Sequence, residues 1–323
     1  MDELDRRILT AVQADLPVEE RPFDALARRL NLAPEEMIAR LRQLAAQGLI
    51  RRVGPVFDSR RLGYVSTLVA ARMPADRLTD VAARVSALPG VTHNYERRHA
   101  YNLWFTLTAP SAAELEQTLA NLRRETGLDG FYSLPAEAMY KIRVQFDLVE
   151  DVSTIEVALP PSTSTEPVVL SGEQKELVRL IQDGLAMERE PLAAVASRLG
   201  WPVGRIVEQI QEWMTAGVIR RFGAVVRHRE LGFRASGMAV FQVAPARIDE
   251  AGRRLAGRSE VSHCYRRPPL PDFPYNLYAM VHGQSEEGVR RTVCGMASEL
   301  RPERYDVLFS AREFKKASMR YFV

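Results

Sequence analysis

The chain has 323 residues, 46% of them apolar, with 44 basic against 41 acidic side chains and a formal net charge of +3. That length favours two or more domains, the composition supports a globular core, and no apolar run approaches the length of a membrane-spanning helix. The acidic, amphipathic start MDELDRRILTAV lacks the pattern of a signal peptide, and Cys264 and Cys294, the only cysteines, argue against a disulfide framework and for a reducing cytoplasm.

LDRRILTAV sets Leu4, Ile8, Leu9 and Val12 at helical spacing. PFDALARRLN predicts a second short helix. LAPEEMIARLRQLAAQG predicts a third, with Pro34 in its first turn, Glu35 and Glu36 behind it and Gly48 as its stop. The strand IRRVGPVFD follows, turning near Asp58-Ser59. Three helices and a two-stranded wing make a winged helix-turn-helix over residues 1–63. Strand and helix then alternate over 64–150: the strand YVSTLVAARM, the helix ADRLTDVAARVSAL, the strands VTHNYERR and YNLWFTLTA, the helix SAAELEQTLANLRRET, and a last strand around AMYKIRVQFDL. The order β-α-β-β-α-β is ferredoxin-like. Residues 151–170, rich in Pro, Ser and Thr, read as a linker.

The pattern then starts again, with a second winged helix-turn-helix over 171–232 and a second ferredoxin-like module over 233–323, its final strand near REFKKASMRYF. GLIRRVGPVFDSRRLGY (48–64) returns as GVIRRFGAVVRHRELGF (217–233), identical at nine of seventeen positions. GVTHNY (90–95) returns as EVSHCY (260–265), and YNLWFTL (101–107) as YNLYAMV (275–281). The fold class is α+β, a tandem duplication. The offset between copies grows from 169 through 170 to 174, so four residues enter between Tyr265 and Tyr275, where PPLPDFP lies.

The polar residues carry the functional reading. Residues 1–52 hold nine basic and nine acidic side chains, and Glu35 and Glu36 open the predicted recognition helix. That balance argues against DNA binding and for helix-turn-helix units used as packing elements, leaving Arg40, Arg42 and Arg205 as the residues that could meet phosphate. The five histidines are His93, His99, His228, His263 and His282. His93 and His263 occupy equivalent positions. His99 has no counterpart, because the proline-rich insertion replaces its segment, and a single polar difference between similar copies is what one active centre would leave.

A winged helix-turn-helix joined to a βαββαβ module resembles the Lrp/AsnC family, and LDRRIL, LARRLNL, RLRQLAAQGLIRR and LGY are similar to its N-terminal signature. HNYERRHAYNLWFTL and SHCYRRPPLPDFPYNLYAMVHG resemble the two subunit types of the sirohaem decarboxylases, here in the fused Nir D–L form that serves haem d1 (porphyrin) biosynthesis in denitrification. The resemblance implies a carboxy-lyase that removes carbon dioxide from two acetate side chains of sirohaem to give 12,18-didecarboxysirohaem. It implies no cofactor beyond the iron carried by the substrate, since the conjugated macrocycle can accept the electron density released. His93 and His99 would be the proton donor and its partner, and the residues leave open whether His99 instead ligates the iron axially.

A polycarboxylate substrate demands guanidinium forks. The candidates are Arg51, Arg52, Arg60, Arg97, Arg98, Arg143, Arg220, Arg221, Arg266 and Arg267, with Lys141. Tyr95, Tyr101 and Trp104 would line the macrocycle, and His263, Arg266 and Arg267 would form a mirror site, inactive or supportive. The fused halves would form an intramolecular pseudo-dimer, with further homo-oligomerisation open, and no membrane partner is expected. The competing readings are a DNA-binding regulator of the Lrp/AsnC type and a haem-binding sensor without turnover.

Overall fold

The structure, a computed structural model, describes residues 1–142, 166–226 and 235–323. Arg143, His228, most of the expected linker and the end of the AMYKIRVQFDL segment lie outside the described residues. The first copy runs α1 (Glu3–Ala14), α2 (Pro22–Leu30), α3 (Pro34–Ala46), β1 (Ile50–Phe57), β2 (Val65–Ala71), α4 (Leu78–Ala87), β3 (Val91–Arg97), β4 (Leu103–Ala109), α5 (Ala112–Thr126), β5 (Phe131–Pro135) and β6 (Ala138–Ile142). The second runs α6 (Gly172–Ile181), α7 (Ala193–Leu199), α8 (Val203–Thr215), β7 (Ile219–Val226), β8 (Ala235–Gln242), α9 (Ile248–Ala256), β9 (Val261–Arg266), β10 (Leu277–Gly283), α10 (Glu286–Leu300) and β11 (Arg304–Lys316). Two compact units cut across this duplication: one gathers both helical modules and the last four residues, the other both βαββαβ modules.

In the helical unit, α1 starts on a reciprocal capping box between Asp2 and Asp5 and buries Ile8, Leu9 and Val12, the face its periodicity predicts. The wing differs from expectation. Among the described residues β1 pairs not within its own copy but antiparallel with β7, its counterpart, with Gly54 opposite Gly223. The reason is burial: Val53 and Phe57 of β1 and Phe222 and Ala224 of β7 all lie in the interior, which a shared ribbon achieves. The ribbon crosses close to the end of α1, where the Leu16 N–H donates to the Phe222 carbonyl at 3.0 Å. A Cβ on Gly223 would stand 2.5 Å from the Val12 carbonyl oxygen, so the glycine of the repeated IRRxG string is a packing requirement.

The arginines flagged for phosphate are engaged inside this unit. Arg40 pairs with Asp2, Asp5 and Glu36. Arg42 Nε donates to the Met187 carbonyl at 2.9 Å, and the Arg205 guanidinium lies 3.7 Å above the Trp201 ring.

The other unit is one nine-stranded sheet in the order β5-β2-β4-β3-β11-β8-β10-β9-β6. The fourth strand of the first βαββαβ module is β5, a segment the sequence reading left without a strand. AMYKI forms β6 instead and leaves its copy to pair with β9. The long β11 does the reciprocal: Arg304–Phe309 pair with β8, and Ser310–Lys316 with β3 of the first copy. The two copies are thus an intramolecular pseudo-dimer stitched by exchanged strands. One core packs Val69, Phe105, Leu119 and Phe131 of the first copy. A second packs Phe241, Val281, Val289 and Val293 of the second. A third draws Tyr101, Trp104 and Leu134 together with Met238, Phe273 and Tyr278 from both. Among the described residues no helix is long and apolar enough to cross a membrane.

Gly223→Ala should destabilise the helical unit by about 1–3 kcal/mol, the usual cost of forcing atoms into a packed site. Gly172→Ala, where an added Cβ meets nothing within 4 Å, should be neutral or stabilising. Thermal unfolding followed by circular dichroism checks both.

Candidate functional site

The site begins with side-chain alternation on β3 and β9. Asn94, the middle residue of the first His-x-Tyr triplet, is fully buried and donates to the Ala82 carbonyl at 2.9 Å and the Ser86 hydroxyl at 3.0 Å. Cys264, its equivalent, donates its thiol to the Gly252 carbonyl at 3.7 Å, the same position in the repeat, and burial pushes that thiol up to about 12. Both middle residues therefore tie their strand to the covering helix. The flanking residues face the other way. His93 and Tyr95 have ring centroids 6.2 Å apart, and His263 and Tyr265 6.3 Å. The Arg97 guanidinium stands 5.8 Å from the Tyr95 ring and that of Arg267 4.8 Å from Tyr265. A row of imidazole, phenol and guanidinium appears twice.

The two arginines share a lack with Arg52 and Arg221 of the helical unit, whose Nε atoms are likewise buried without an acceptor. Arg97 donates to the Leu308 carbonyl at 2.6 Å, and Arg267 to the carbonyl of Leu134, the equivalent residue. Among the described residues neither meets a carboxylate, and each Nε is sealed from solvent without an acceptor. Burial lowers the Arg97 pKa to about 10, opposed by Tyr95, and lowers that of Arg267 as well. Burying a cation without a counter-charge costs several kcal/mol, so on the histidine face each is a candidate anion site.

The remaining basic candidates are differently placed. Arg98 is exposed, 3.7 Å from Glu286. Arg266 is held by Glu137 at 3.1 Å and Asp249 at 3.4 Å. Lys141 Nζ donates at 2.7 Å to the Arg258 carbonyl just beyond α9, as Lys315 does to Ser86 and Leu88 beyond the start of the matching turn. Arg51, Arg52, Arg220 and Arg221 belong to the helical unit. Arg51 is exposed. Arg52 donates to the Pro55 carbonyl at 2.8 Å and Arg221 to Ala224 at 2.9 Å, the same contact in each copy. Arg221 also reaches the Gln13 carbonyl. Arg220 pairs with buried Asp58 at 2.9 Å, as Arg60 does at 3.2 Å. The repeated Arg-Arg string thus makes matching main-chain contacts in the ribbon.

The histidines separate. His93 Nδ1 lies 3.0 Å from the Thr92 hydroxyl, which is 2.7 Å from that of Thr106. His263 Nδ1 lies 2.8 Å from the Ser262 hydroxyl, which is 2.6 Å from His282 Nε2. The sequence reading passed over these hydroxyls, although a Thr or Ser precedes the histidine in both copies. His99 sits in the turn between β3 and β4. Its Nδ1 accepts the Tyr101 N–H at 3.0 Å, so the neutral ring carries its proton on Nε2. Its ring lies parallel to Tyr101 at 6.0 Å and edge-on to Phe273 at 5.2 Å. Burial lowers its pKa, with Asp306 opposing and Arg72 reinforcing the shift. His93 is not among these contacts.

The proline-rich insertion has a second effect. Asp272 accepts the Tyr101 hydroxyl at 2.5 Å and pairs with Arg72. Phe273, 1% exposed, packs 5.5 Å from Tyr101 and 5.7 Å from Trp104. The Trp104 indole N–H donates to the Tyr101 carbonyl at 2.7 Å. Tyr101 and Trp104 are therefore interior supports of the His99 turn, where an exposed stacking face was expected. Tyr95 remains on the histidine face.

Burial and Lys316 depress the His282 pKa from its ordinary 6.5 to about 4. The fold favours the neutral ring, so this contribution is present above pH 6.5 and is lost as pH falls toward 4. Stability should drop across that interval by on the order of 2 kcal/mol through this group, and His282→Asn should flatten the decline in a denaturant-unfolding series.

Comparison with known proteins accords with this architecture. A family model described as an AsnC-like ligand binding domain matches residues 61–141 and 230–315. One described as a sirohaem decarboxylase NirDL-like HTH domain matches 5–51 and 174–220. The sirohaem decarboxylase of Hydrogenobacter thermophilus is 35% identical over 317 residues, 98% of this chain and 94% of that protein. The sirohaem decarboxylase NirDL subunit of Paracoccus pantotrophus is 37% identical over 320 residues, 98% and 96% of the two chains. The crystal structure of the sirohaem decarboxylase NirDL in co-complex with an iron-uroporphyrin III analogue matches with a TM-score of 0.77 at 33% identity, covering 100% of this chain and 95% of that one. With both modules matched twice and relatives aligned over nearly the whole length, this chain belongs to the sirohaem decarboxylase family of the NirDL type.

Proposed function

We propose that this chain decarboxylates sirohaem in haem d1 biosynthesis, acting as a carboxy-lyase on two acetate side chains, at the face of β3 that carries His93, Tyr95 and Arg97. The observation that carries the reading is Arg97: a buried guanidinium with, among the described residues, no carboxylate partner and an unpartnered Nε, in line with a histidine. A ring carboxylate of the substrate supplies the missing counter-charge and fixes the macrocycle against the strand. The relative crystallised with an iron-uroporphyrin III analogue supports a tetrapyrrole as the ligand class.

In each turnover the bond between an acetate methylene and its carboxylate breaks and carbon dioxide leaves. The electron pair stays on the methylene carbon and delocalises into the conjugated ring. A proton delivered to that carbon completes a methyl group, and solvent restores the donor. In this reading the iron belongs to the substrate and the macrocycle serves as the electron sink, so the protein contributes binding, orientation and the proton.

The two histidines suit different tasks. The Nδ1 of His93 faces a hydroxyl, which can donate to it and leave Nε2 carrying the proton that is released. The Nδ1 of His99 is committed as an acceptor, and burial favours its neutral form. It can offer an Nε2–H to a substrate carboxylate. Ligating the iron through Nε2 would move the proton to Nδ1, against the Tyr101 N–H. We assign His93 as the proton donor and His99 as a neutral orienting donor.

Anaerobic incubation with sirohaem, followed by product mass, tests this. The wild-type chain should yield the doubly decarboxylated product. His93→Ala should lower kcat by roughly 10²-fold or more while still binding, and His99→Ala should mainly raise KM. Unaltered sirohaem recovered from the wild-type chain, or a His93→Ala variant turning over at the wild-type rate, would overturn the assignment.

A further inference from the structure

The second copy keeps more of the row than an inactive remnant requires. His263, Tyr265 and Arg267 repeat the spacing of the first copy, and Arg267 repeats its main-chain contact across the exchanged strands, donating to Leu134 as Arg97 does to Leu308. It also has something the first copy lacks. The hydroxyl of Tyr278 is buried without a hydrogen-bond partner, and the Arg267 guanidinium carbon stands 6.0 Å from that ring. Trp104 occupies the equivalent place in the first copy, and its N–H is satisfied by Tyr101. Two sealed donors, Arg267 Nε and Tyr278 Oη, therefore share one cluster with no acceptor among the described residues. Leaving both unmet is costly in a folded protein. An anion that accepts from both removes the penalty, and a carboxylate has the acceptor geometry for it.

His263 keeps the place of the proton donor, but the orienting histidine has no counterpart there. Pro268 and Pro269 stand where the first copy has Arg98 and His99, and Asp272 and Phe273 of the same insertion are committed to the first copy's turn.

From these observations we propose that the second copy is a separate carboxylate-binding site, centred on Arg267 and Tyr278, that takes a tetrapyrrole polycarboxylate without decarboxylating it. This rests on the reading of the first copy as the site of turnover. Each chain would then hold two equivalents of ligand, one processed and one retained.

The test is an absorbance and calorimetric titration of the full chain with iron uroporphyrin III, with decarboxylation of sirohaem by the same wild-type preparation measured alongside. Two equivalents per chain are expected for the wild type, and one for Arg267→Gln. Tyr278→Phe keeps the ring and removes the hydroxyl, so it serves if the arginine variant does not fold. It should weaken one of the two equivalents about tenfold and leave the other. A single equivalent in a wild-type chain that decarboxylates sirohaem overturns this inference and leaves the proposed activity standing. Two undiminished equivalents in both variants also overturn it. A wild-type chain that binds but does not turn over defeats the proposed activity instead.

Discussion

Everything at the candidate site depends on the exchange of the last strand between copies. In each βαββαβ module the histidine strand is an edge of its own four strands, β3 in one and β9 in the other. An edge strand leaves main-chain donors and acceptors unpaired and offers no wall on one side. The far half of β11 closes β3, and β6 closes β9. The exchange also brings each arginine a main-chain acceptor, Leu308 for Arg97 and Leu134 for Arg267. Neither copy could hold its guanidinium this way alone. Joining the two copies in one chain fixes their ratio at one to one and makes the exchange intramolecular.

On that near-symmetric scaffold a small asymmetry divides the labour. The four residues gained near Pro268 remove a histidine and an exposed arginine from one copy. The same insertion lends Asp272 and Phe273 to the turn that holds His99 in the other. A duplicated fold tolerates this because the cores under the helices do not involve the turn, so one copy can be specialised while the other keeps the shared packing.

The duplication, the order of modules and the family were legible because periodicity and repeated strings survive in a single sequence. The equivalence of His93 and His263 was legible for the same reason. What escaped was pairing between distant segments. Nothing in AMYKI or REFKK says that these strands leave their own module, since β-propensity describes a strand and not its neighbour. FYSLP was missed as β5 because five residues between a helix and a more obvious strand carry little pattern. Its counterpart was hidden inside the long β11. Arg52 and Arg221, chosen because a doubled arginine repeats, lie in the helical unit and not on the histidine face. The glycine two residues on has its own packing reason, in the second copy the approach of α1. The reach of Asp272 and Phe273 into the first copy had no local signal at all, although an insertion placed opposite His99 was a reason to look there.

The central claim is that the buried, carboxylate-free guanidinium on β3 awaits an acid group of a tetrapyrrole. A crystal structure of this chain with iron uroporphyrin III tests it most directly. The account predicts a ring carboxylate within about 3 Å of the Arg97 guanidinium, with His93 facing the macrocycle edge. A tetrapyrrole seated elsewhere, with the Nε of Arg97 still unpartnered, would contradict it.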